Sequence, residues 1–374
     1  MRHLANQPCN EHISAMKFDE IIKVGAQEIS KKYIESLSYE QRENLIIPIF
    51  NEFRKVEFMF PDNEKEINSD WNKLLKYNPD ISVDSIYGNT SMATSICKYF
   101  CHEYYNTTDG KGKTIPELFN DDLILKRIIK NRLGMDWLKD SVNKKGVLVP
   151  GVNEAFNLSF KMLIQGMRSM RLVSQVSMFK PEIAKLITMK YSKSGDTIFD
   201  PSCGFGARLL GALSSNRKYI GTDPLTTESL ETMANYFKFD KSNYRLIKSG
   251  SEDYCGEENS IDFSYSSPPY YSQEVYSNDL TQAYNKGEDY FYNVYWENTV
   301  KNIKFMLKPE KLFGVNITDK YPKIVEIAKK HFGEPIDVFK LRLVRSHLTK
   351  KKLHEIEGKE AEKYEPIYIF KNIK

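Results

Sequence analysis

The stretch Asp200-Pro201-Ser202-Cys203-Gly204-Phe205-Gly206-Ala207-Arg208 decides the fold of this chain. It follows a short apolar run at residues 197–199 and precedes a segment with leucines at helical spacing. Glycines between a strand and a helix let the backbone approach a ligand without a β-carbon in the way. The stretch therefore predicts a ligand-binding turn at the carboxyl end of a strand.

Strands and helices are predicted to alternate on both sides of this turn. Strands are expected at 197–199, 218–221, 244–248, 261–265, 311–316, near 338 and at 366–370, with helices at 181–191, around 209–213 and at 227–237. This alternation predicts an α/β fold, with a parallel, Rossmann-like sheet covered on both faces. Residues 1–150 have a different pattern, with helical spacing over 40–60, 71–77 and 121–132. We therefore expect a mainly helical domain over 1–165, with a role in substrate recognition, and the α/β domain over 166–374.

Composition excludes several classes of protein. The 374 residues suffice for about two domains, and 21 Phe, 23 Tyr and 3 Trp argue against intrinsic disorder. No apolar run approaches the roughly 18 residues of a membrane span, and the N-terminus has no apolar signal-peptide stretch. Five cysteines do not form a disulfide framework, so we expect a reduced, cytoplasmic protein. A net charge of +4 means that any polyanion must be held by a local basic patch.

The glycine turn can be compared with three kinds of nucleotide site. The chain has no G-x-x-x-x-G-K-[ST] string, and Leu209 stands where a dinucleotide site has its third glycine. The third kind has an acid at the first strand end and another after the next strand, which Asp200 and Asp223 fit. The second acid suits a ribose diol, and the first suits a cationic group. A ligand with an adenosine, an ammonium group and no phosphate is S-adenosylmethionine. The alternative interpretation of the glycine stretch is a plain tight turn without a ligand.

A second motif, Ser267-Pro268-Pro269-Tyr270, follows the strand expected at 261–265. Two prolines cannot continue a central strand, so the chain leaves the sheet at its carboxyl edge. Asp-Pro-x-x-Gly-x-Gly followed about sixty residues later by [Asp/Asn/Ser]-Pro-Pro-[Tyr/Phe] resembles the amino-methyltransferase family. Members of that family methylate exocyclic amino groups of DNA at adenine-N6 or cytosine-N4, and some act on RNA guanine or protein glutamine. The resemblance covers residues 177–316 and the end strand, but not residues 1–150.

The resemblance implies a role for each matching residue. Asp200 and the turn from Gly204 to Gly206 would hold the methionine part of the cofactor, Asp223 the ribose and Asp253 the adenine amino group. Further cofactor-binding positions implied in this way are Phe179, Pro181, Pro201, Cys203, Phe205 and Pro224. The catalytic residues would be Ser267, Pro268, Pro269 and Tyr270.

The residues of the Ser-Pro-Pro-Tyr motif suit methylation of an exocyclic amino group. The lone pair of an exocyclic amino group is delocalised into the ring, which makes the nitrogen a poor nucleophile. Acceptors for its two hydrogens, the Ser267 hydroxyl and the Pro268 carbonyl, would favour the pyramidal nitrogen of the transition state. Tyr270 offers a ring face to a base that has been taken out of its stack.

Other chemistries are less well supported. Carbon-5 methylation needs a Pro-Cys pair after the turn, and the only Pro-Cys is Pro8-Cys9. Cys97 and Cys101 lack a second pair at ligand spacing, so no metal site is expected. Tyr292, Tyr295 and Trp296 have helical spacing and are expected in the core.

The resemblance implies a site-specific DNA methyltransferase, from a restriction-modification system or a phage. Within that family the serine form of the motif is commoner in cytosine-N4 enzymes, so the resemblance favours cytosine-N4 over adenine-N6. The alternatives are the same scaffold acting on RNA, a protein amide or a modified base, and a non-catalytic nucleic-acid-binding homologue. A basic stretch from Lys340 to Lys352 without acids is the candidate phosphate-binding surface. The residues expected to contact nucleic acid are Arg342, Arg345, Lys350, Lys351 and Lys352. A solvated turn is the alternative interpretation of this stretch.

Overall fold

The computed structural model describes residues 16–88, 90–108, 112–135, 141–142, 148–149, 154–173, 176–271, 274–342 and 364–374. No helix among these residues is long and apolar enough to span a membrane. The chain divides into two compact units, one of residues 1–63 and 115–173 and the other of residues 64–114 and 174–374. The expected domain boundary after residue 165 stays a prediction, and residues 64–114 group with the unit that contains the large sheet.

The helices and strands are numbered here in chain order. The strands are β1 Lys23–Val24, β2 Gln27–Glu28, β3 Ser85–Tyr87, β4 Ser141–Val142, β5 Leu148–Val149, β6 Thr197–Asp200, β7 Lys218–Thr222, β8 Tyr244–Ile247, β9 Ile261–Ser266, β10 Leu307–Asn316, β11 Asp337–Arg342 and β12 Tyr364–Lys371. The α-helices are α1 Lys31–Glu35, α2 Tyr39–Phe53, α3 Glu64–Lys76, α4 Thr94–Phe100, α5 Ile115–Asn120, α6 Asp122–Arg132, α7 Phe160–Ser169, α8 Pro181–Tyr191, α9 Ala207–Leu213, α10 Thr227–Tyr236, α11 Glu297–Met306 and α12 Pro322–Phe332.

The first unit is built mainly from helices α1, α2, α5, α6 and α7, with the small antiparallel pairs β1–β2 and β4–β5. Capping side chains explain where its longer helices begin. Ser38 and Gln41 form a reciprocal capping box at the start of α2, and Asp121 accepts two backbone N–H groups at the start of α6. Phe53 and Phe160 pack edge to face in the buried part of this unit.

The second unit contains an eight-stranded sheet in the order β3-β11-β12-β10-β9-β6-β7-β8. Strands β10, β9, β6, β7 and β8 run parallel, while β12 is antiparallel to both of its neighbours. Strand β9 is buried along its whole length, as expected of a strand covered on both faces. The predicted α/β fold with a Rossmann-like sheet is therefore confirmed.

The order in which strands are added to the sheet reverses at β6, so the carboxyl ends of β6 and β9 form a topological switch point. From β6 the chain proceeds outward through β7 to β8, and then returns to pair β9 with the other side of β6. Ligands of open α/β sheets bind beside such a switch point, because the loops after the two strands separate there. The glycine turn follows β6 and the Ser-Pro-Pro-Tyr motif follows β9, so the topology places both motifs at this point.

Candidate cofactor and substrate pocket

A pocket lies at the carboxyl edge of the sheet, within the second unit. Its lining includes nine of the predicted site residues: Phe179, Pro201, Cys203, Gly204, Phe205, Asp223, Pro224, Ser267 and Pro269. Asp200, Gly206, Asp253, Pro268 and Tyr270 are not among its lining residues, and neither is Pro181, which is buried in the first turn of α8. The glycine turn and the Ser-Pro-Pro-Tyr motif thus share one pocket.

Asp200 ends β6 and is fully buried. Its Oδ2 accepts hydrogen bonds from Arg208 Nε at 2.8 Å and from the Tyr219 hydroxyl at 2.6 Å, and its Oδ1 accepts the Ser202 N–H at 3.1 Å. The cation opposite this carboxylate is therefore the protein's own guanidinium. That Asp200 contacts a cofactor stays a prediction, because the structure shows it bound to its own chain.

Asp223 follows β7 and joins the glycine turn to the next loop. Its Oδ2 accepts the Gly204 N–H at 3.0 Å, and its Oδ1 accepts the N–H groups of Leu225 and Thr226 at 2.9 and 3.0 Å. Thr226 Oγ1 donates in return to the Gly204 carbonyl at 2.6 Å. Burial raises the pKa of Asp223, and the three N–H donors lower it in part. A carboxylate has about four acceptor positions, so Asp223 retains capacity for a ligand hydroxyl.

The two glycines of the turn have different surroundings. Both have left-handed backbone angles, with φ of +52° at Gly204 and +83° at Gly206. A β-carbon on Gly206 would lie 2.5 Å from Leu230 Cδ2, whereas one on Gly204 would meet only the Ser202 carbonyl oxygen, at 3.8 Å. Gly206 therefore permits packing of the turn against α10, and Gly204 is the glycine that keeps the pocket open.

The acid that the structure places in the pocket after β8 is Glu252, whereas Asp253 is exposed. Glu252 is 8% exposed, and its Oε1 accepts the Tyr290 hydroxyl at 3.1 Å. Its Oε2 is buried and has no hydrogen-bond partner among the described residues. A buried carboxylate oxygen without a partner is costly, so it marks a position where a ligand can donate. The assignment of the adenine amino group to Asp253 stays a prediction, and the acid that lines the pocket is its neighbour Glu252.

The Ser-Pro-Pro-Tyr motif presents Ser267 and Pro269 to the pocket. Tyr270 turns away from it, with its hydroxyl donating to Glu365 Oε1 at 2.6 Å and its ring 5.4 Å from that of Tyr321. The backbone N–H of Tyr270 donates to Glu274 Oε2 at 3.3 Å. That the Tyr270 ring stacks on a target base therefore stays a prediction, and in this structure the ring contacts Tyr321.

Beside the motif, the Glu274 carboxylate joins Tyr270 to the pocket. Glu274 Oε2 also accepts the hydroxyl of Tyr276 at 2.6 Å, and Tyr276 lines the pocket. Burial raises the pKa of Glu274 to about 7, although these two hydrogen bonds lower it. Burial also raises the pKa of Glu365, the partner of the Tyr270 hydroxyl. Two carboxyl groups that favour protonation therefore flank the motif.

The charge of the pocket favours a cationic ligand over a phosphate. The charged residues of the described lining are Arg208, Asp223 and Glu252. Arg208 is ion-paired with Asp200, so its charge is compensated within the protein. The remaining charges are negative, and negative charge in a low-dielectric cleft repels phosphates and attracts cations.

Most of the predicted nucleic-acid surface, namely Arg345, Lys350, Lys351 and Lys352, lies outside the described residues. Arg342 ends β11, with its guanidinium 5.8 Å from the centre of the Tyr87 ring on β3. A phosphate-binding role for these residues stays a prediction.

No family model and no curated protein matches this chain. Among solved structures, it is similar to the 1,6-didemethyltoxoflavin-N1-methyltransferase of Burkholderia thailandensis with bound S-adenosylhomocysteine, at 13% identity and a TM-score of 0.36, over 52% of this chain and 78% of that one. It is similar to the tRNA (m1A58) methyltransferase TrmI of Aquifex aeolicus at 12% identity and a TM-score of 0.36, over 53% and 71%. A methyltransferase of Pyrococcus furiosus matches at 15% identity and a TM-score of 0.34, over 52% and 83%. TM-scores below 0.5 do not indicate the activity of this chain. The activity is therefore inferred from the residues of the pocket.

Proposed function

We propose that this chain is an S-adenosylmethionine-dependent methyltransferase that modifies an exocyclic amino group of a nucleic-acid base, with DNA cytosine-N4 as the favoured target. The observation that carries the proposal is the meeting of two motifs in one pocket. Gly204 and Asp223 line its cofactor side, and Ser267 and Pro269 line its substrate side. The motifs are about sixty residues apart in sequence, and the switch point of the sheet is what brings them together.

The residues present fit this cofactor. Asp223 and the unpartnered Oε2 of Glu252 would accept hydrogens of the adenosine, and Gly204 leaves room for the methionine part beside the turn. The negative charge of the pocket suits a sulfonium and argues against a dinucleotide. When bound, S-adenosylmethionine supplies an electrophilic methyl group for transfer to nitrogen.

The protein's part in the chemistry is to make the amino nitrogen reactive. In this proposal the Ser267 hydroxyl and the Pro268 carbonyl accept the two amino hydrogens and so favour the pyramidal nitrogen. The proton released after transfer would pass through the Tyr276 hydroxyl to Glu274 Oε2, because a carboxyl group with a pKa near 7 suits proton acceptance at neutral pH. Ser267 has no carboxylate, so another group has to accept this proton.

The proposal can be tested by incubating the full chain with methyl-labelled S-adenosylmethionine and DNA or RNA, followed by nucleoside mass spectrometry. We expect label in 4-methylcytosine of DNA, and Ser267→Ala should lower turnover while leaving cofactor affinity unchanged. Ser242→Ala, at an exposed serine of the same unit, is the matched control. Label in 6-methyladenine would change the base, and label in RNA or a protein amide would change the substrate class. Failure to bind S-adenosylmethionine would overturn the proposal.

A further inference from the structure

Beyond the Ser-Pro-Pro-Tyr motif, residues 274–286 form a wall of the pocket, which we call the wall segment. Its first part is fixed by an antiparallel bridge between Val275 and Thr108, with N–H···O distances of 2.8 and 3.0 Å. The Tyr284 hydroxyl accepts the N–H groups of Tyr276 and Ser277, both at 2.9 Å. Asn285 Nδ2 donates to the Ser277 carbonyl at 2.9 Å. The wall segment is thus held in one conformation by its own hydrogen bonds.

This arrangement brings Gln282 to the pocket with its side chain unpartnered. Gln282 is 9% exposed and lies among the residues that line the pocket. Its backbone is satisfied, because its N–H donates to the Asp279 carbonyl at 3.1 Å and its carbonyl accepts the Asn285 N–H at 3.0 Å. Its side-chain Nε2 is buried and has no hydrogen-bond partner among the described residues. Buried donors are almost always paired in folded proteins, so an exception in a pocket wall indicates a ligand acceptor.

The surroundings of the wall segment indicate which part of the ligand Gln282 faces. Tyr290, just beyond the wall segment, donates its hydroxyl to Glu252 Oε1, and Lys286 Nζ donates to that hydroxyl at 3.1 Å. Asp223 and Glu252 line the same pocket as Tyr276, Thr281, Gln282 and Ala283 of the wall segment. The wall segment therefore approaches the two acids that the proposed function assigns to the adenosine.

We propose that Gln282 is a cofactor-binding residue whose carboxamide donates a hydrogen bond to the adenosyl part of S-adenosylmethionine. This inference rests on the proposed function. The adenine ring nitrogens and the ribose oxygens are the acceptors in that part, and Glu252 Oε2 supplies an acceptor for its donors. Together, Gln282 and Glu252 would give the pocket a donor and an acceptor for one nucleoside. Cofactor binding would thereby be linked to the conformation of the wall segment.

Calorimetry on the full chain with S-adenosylhomocysteine and with 5′-methylthioadenosine, which lacks the amino-acid part, tests this inference. Gln282→Leu should weaken both ligands roughly three- to ten-fold, the usual effect of one neutral hydrogen bond. Gln282→Met, which keeps the length of the side chain, should do the same and guards against misfolding of the leucine variant. Gln27→Leu, at an exposed glutamine of the first unit, is the matched control and should bind like wild type.

The outcomes separate this inference from the proposed function. If the wild-type protein binds neither ligand, the proposed function fails. If the wild-type protein binds both and the Gln282 variants bind equally well, the role of Gln282 is refuted. A loss for S-adenosylhomocysteine without a loss for 5′-methylthioadenosine would also overturn it, because Gln282 would then contact the amino-acid part. Unchanged cofactor affinity with a raised KM for the nucleic acid would overturn it in favour of a substrate contact.

Discussion

The two sides of the pocket satisfy their polar groups in different ways. On the side of the glycine turn, Asp200 is paired with Arg208 and Tyr219, and Asp223 accepts three backbone N–H groups. On the other side, formed by Glu252 and the wall segment, Glu252 Oε2 and Gln282 Nε2 are buried without partners among the described residues. The acids of the first side are paired within the protein, although Asp223 retains acceptor capacity, whereas the polar groups of the second side gain their first partners when a ligand arrives. Changes to the ion pair and to Gly206 on the first side should therefore act on stability, and changes on the second side should act on binding and on pH dependence.

The largest effect is expected from breaking the buried ion pair. Arg208→Met leaves the Asp200 carboxylate buried without its cation, which should lower the free energy of unfolding by about 3–5 kcal/mol. Thermal and urea unfolding of the full chain measure this change. In the double variant with Asp200→Leu, both charges are absent and most of the loss should be recovered. If the single variant is as stable as wild type, the glycine-turn side does not depend on this pair.

The two glycines of the turn should differ in the kind of damage that alanine causes. Gly206→Ala combines a left-handed backbone with a clash against Leu230, which should cost about 2–4 kcal/mol of stability. Gly204→Ala has no such clash, and it should mainly weaken cofactor binding by filling the pocket. Urea unfolding and calorimetry on the same two variants check this. An equal loss of stability in both variants would contradict the assignment of separate roles.

The smallest effect concerns Glu274, on the side of the motif. Its pKa is raised to about 7 in the folded chain, so the folded state binds more protons than the unfolded state between pH 4.5 and 7. Stability should therefore fall as the pH rises through this range, by about 2 kcal/mol between pH 5 and 7.5, and Glu274→Gln should remove that part of the slope. Urea unfolding at the two pH values measures the difference.

A control of opposite sign for the Glu274 measurement is Glu297. Partial burial raises the pKa of Glu297, but hydrogen bonds from Lys330, His331 and Lys301 outweigh it and lower the pKa to about 2. Its stabilisation is present above pH 4.5 and is lost as the pH falls towards 2. Glu297→Gln should therefore reduce the loss of stability as the pH falls from 4.5 towards 2, the opposite direction to the Glu274 effect. The same slope in wild type and Glu274→Gln would refute the prediction for Glu274.

The order of strands and helices could be predicted from the sequence because each element has its own local signal. Helix α8 begins at Pro181 and ends at Tyr191, as its apolar spacing and its N-terminal proline predict. Tyr295 and Trp296 were expected in the core, and both are buried. Strand β3 could not be predicted, because three residues in a helical region carry no periodicity and their pairing with β11 is long-range.

The site was only partly predictable for the same reason. The glycine turn and Ser-Pro-Pro-Tyr are contiguous motifs, so they could be recognised from the residues alone. The choice of Glu252 over Asp253 depends on how the 3₁₀ turn Ser251–Asp253 is oriented, and the sequence does not encode that locally. The pairing of Asp200 with Arg208 had one usable signal, since a buried acid eight residues before an arginine on the following helix needs a partner. Gln282 had no signal at all.

The position of β12 has a consequence for how the pocket assembles during folding. Strand β12 is the last strand in chain order, yet it lies between β10 and β11, and it brings Glu365 to the Tyr270 hydroxyl across 95 residues of sequence. The cofactor side is built from β6, β7 and β8. These strands follow one another in sequence, and each is connected to the next by a single α-helix. Contacts between residues far apart in sequence form late, because the chain loses the entropy of closing a long loop before these contacts stabilise it. We therefore expect refolding to regain cofactor affinity before it restores the Tyr270–Glu365 contact.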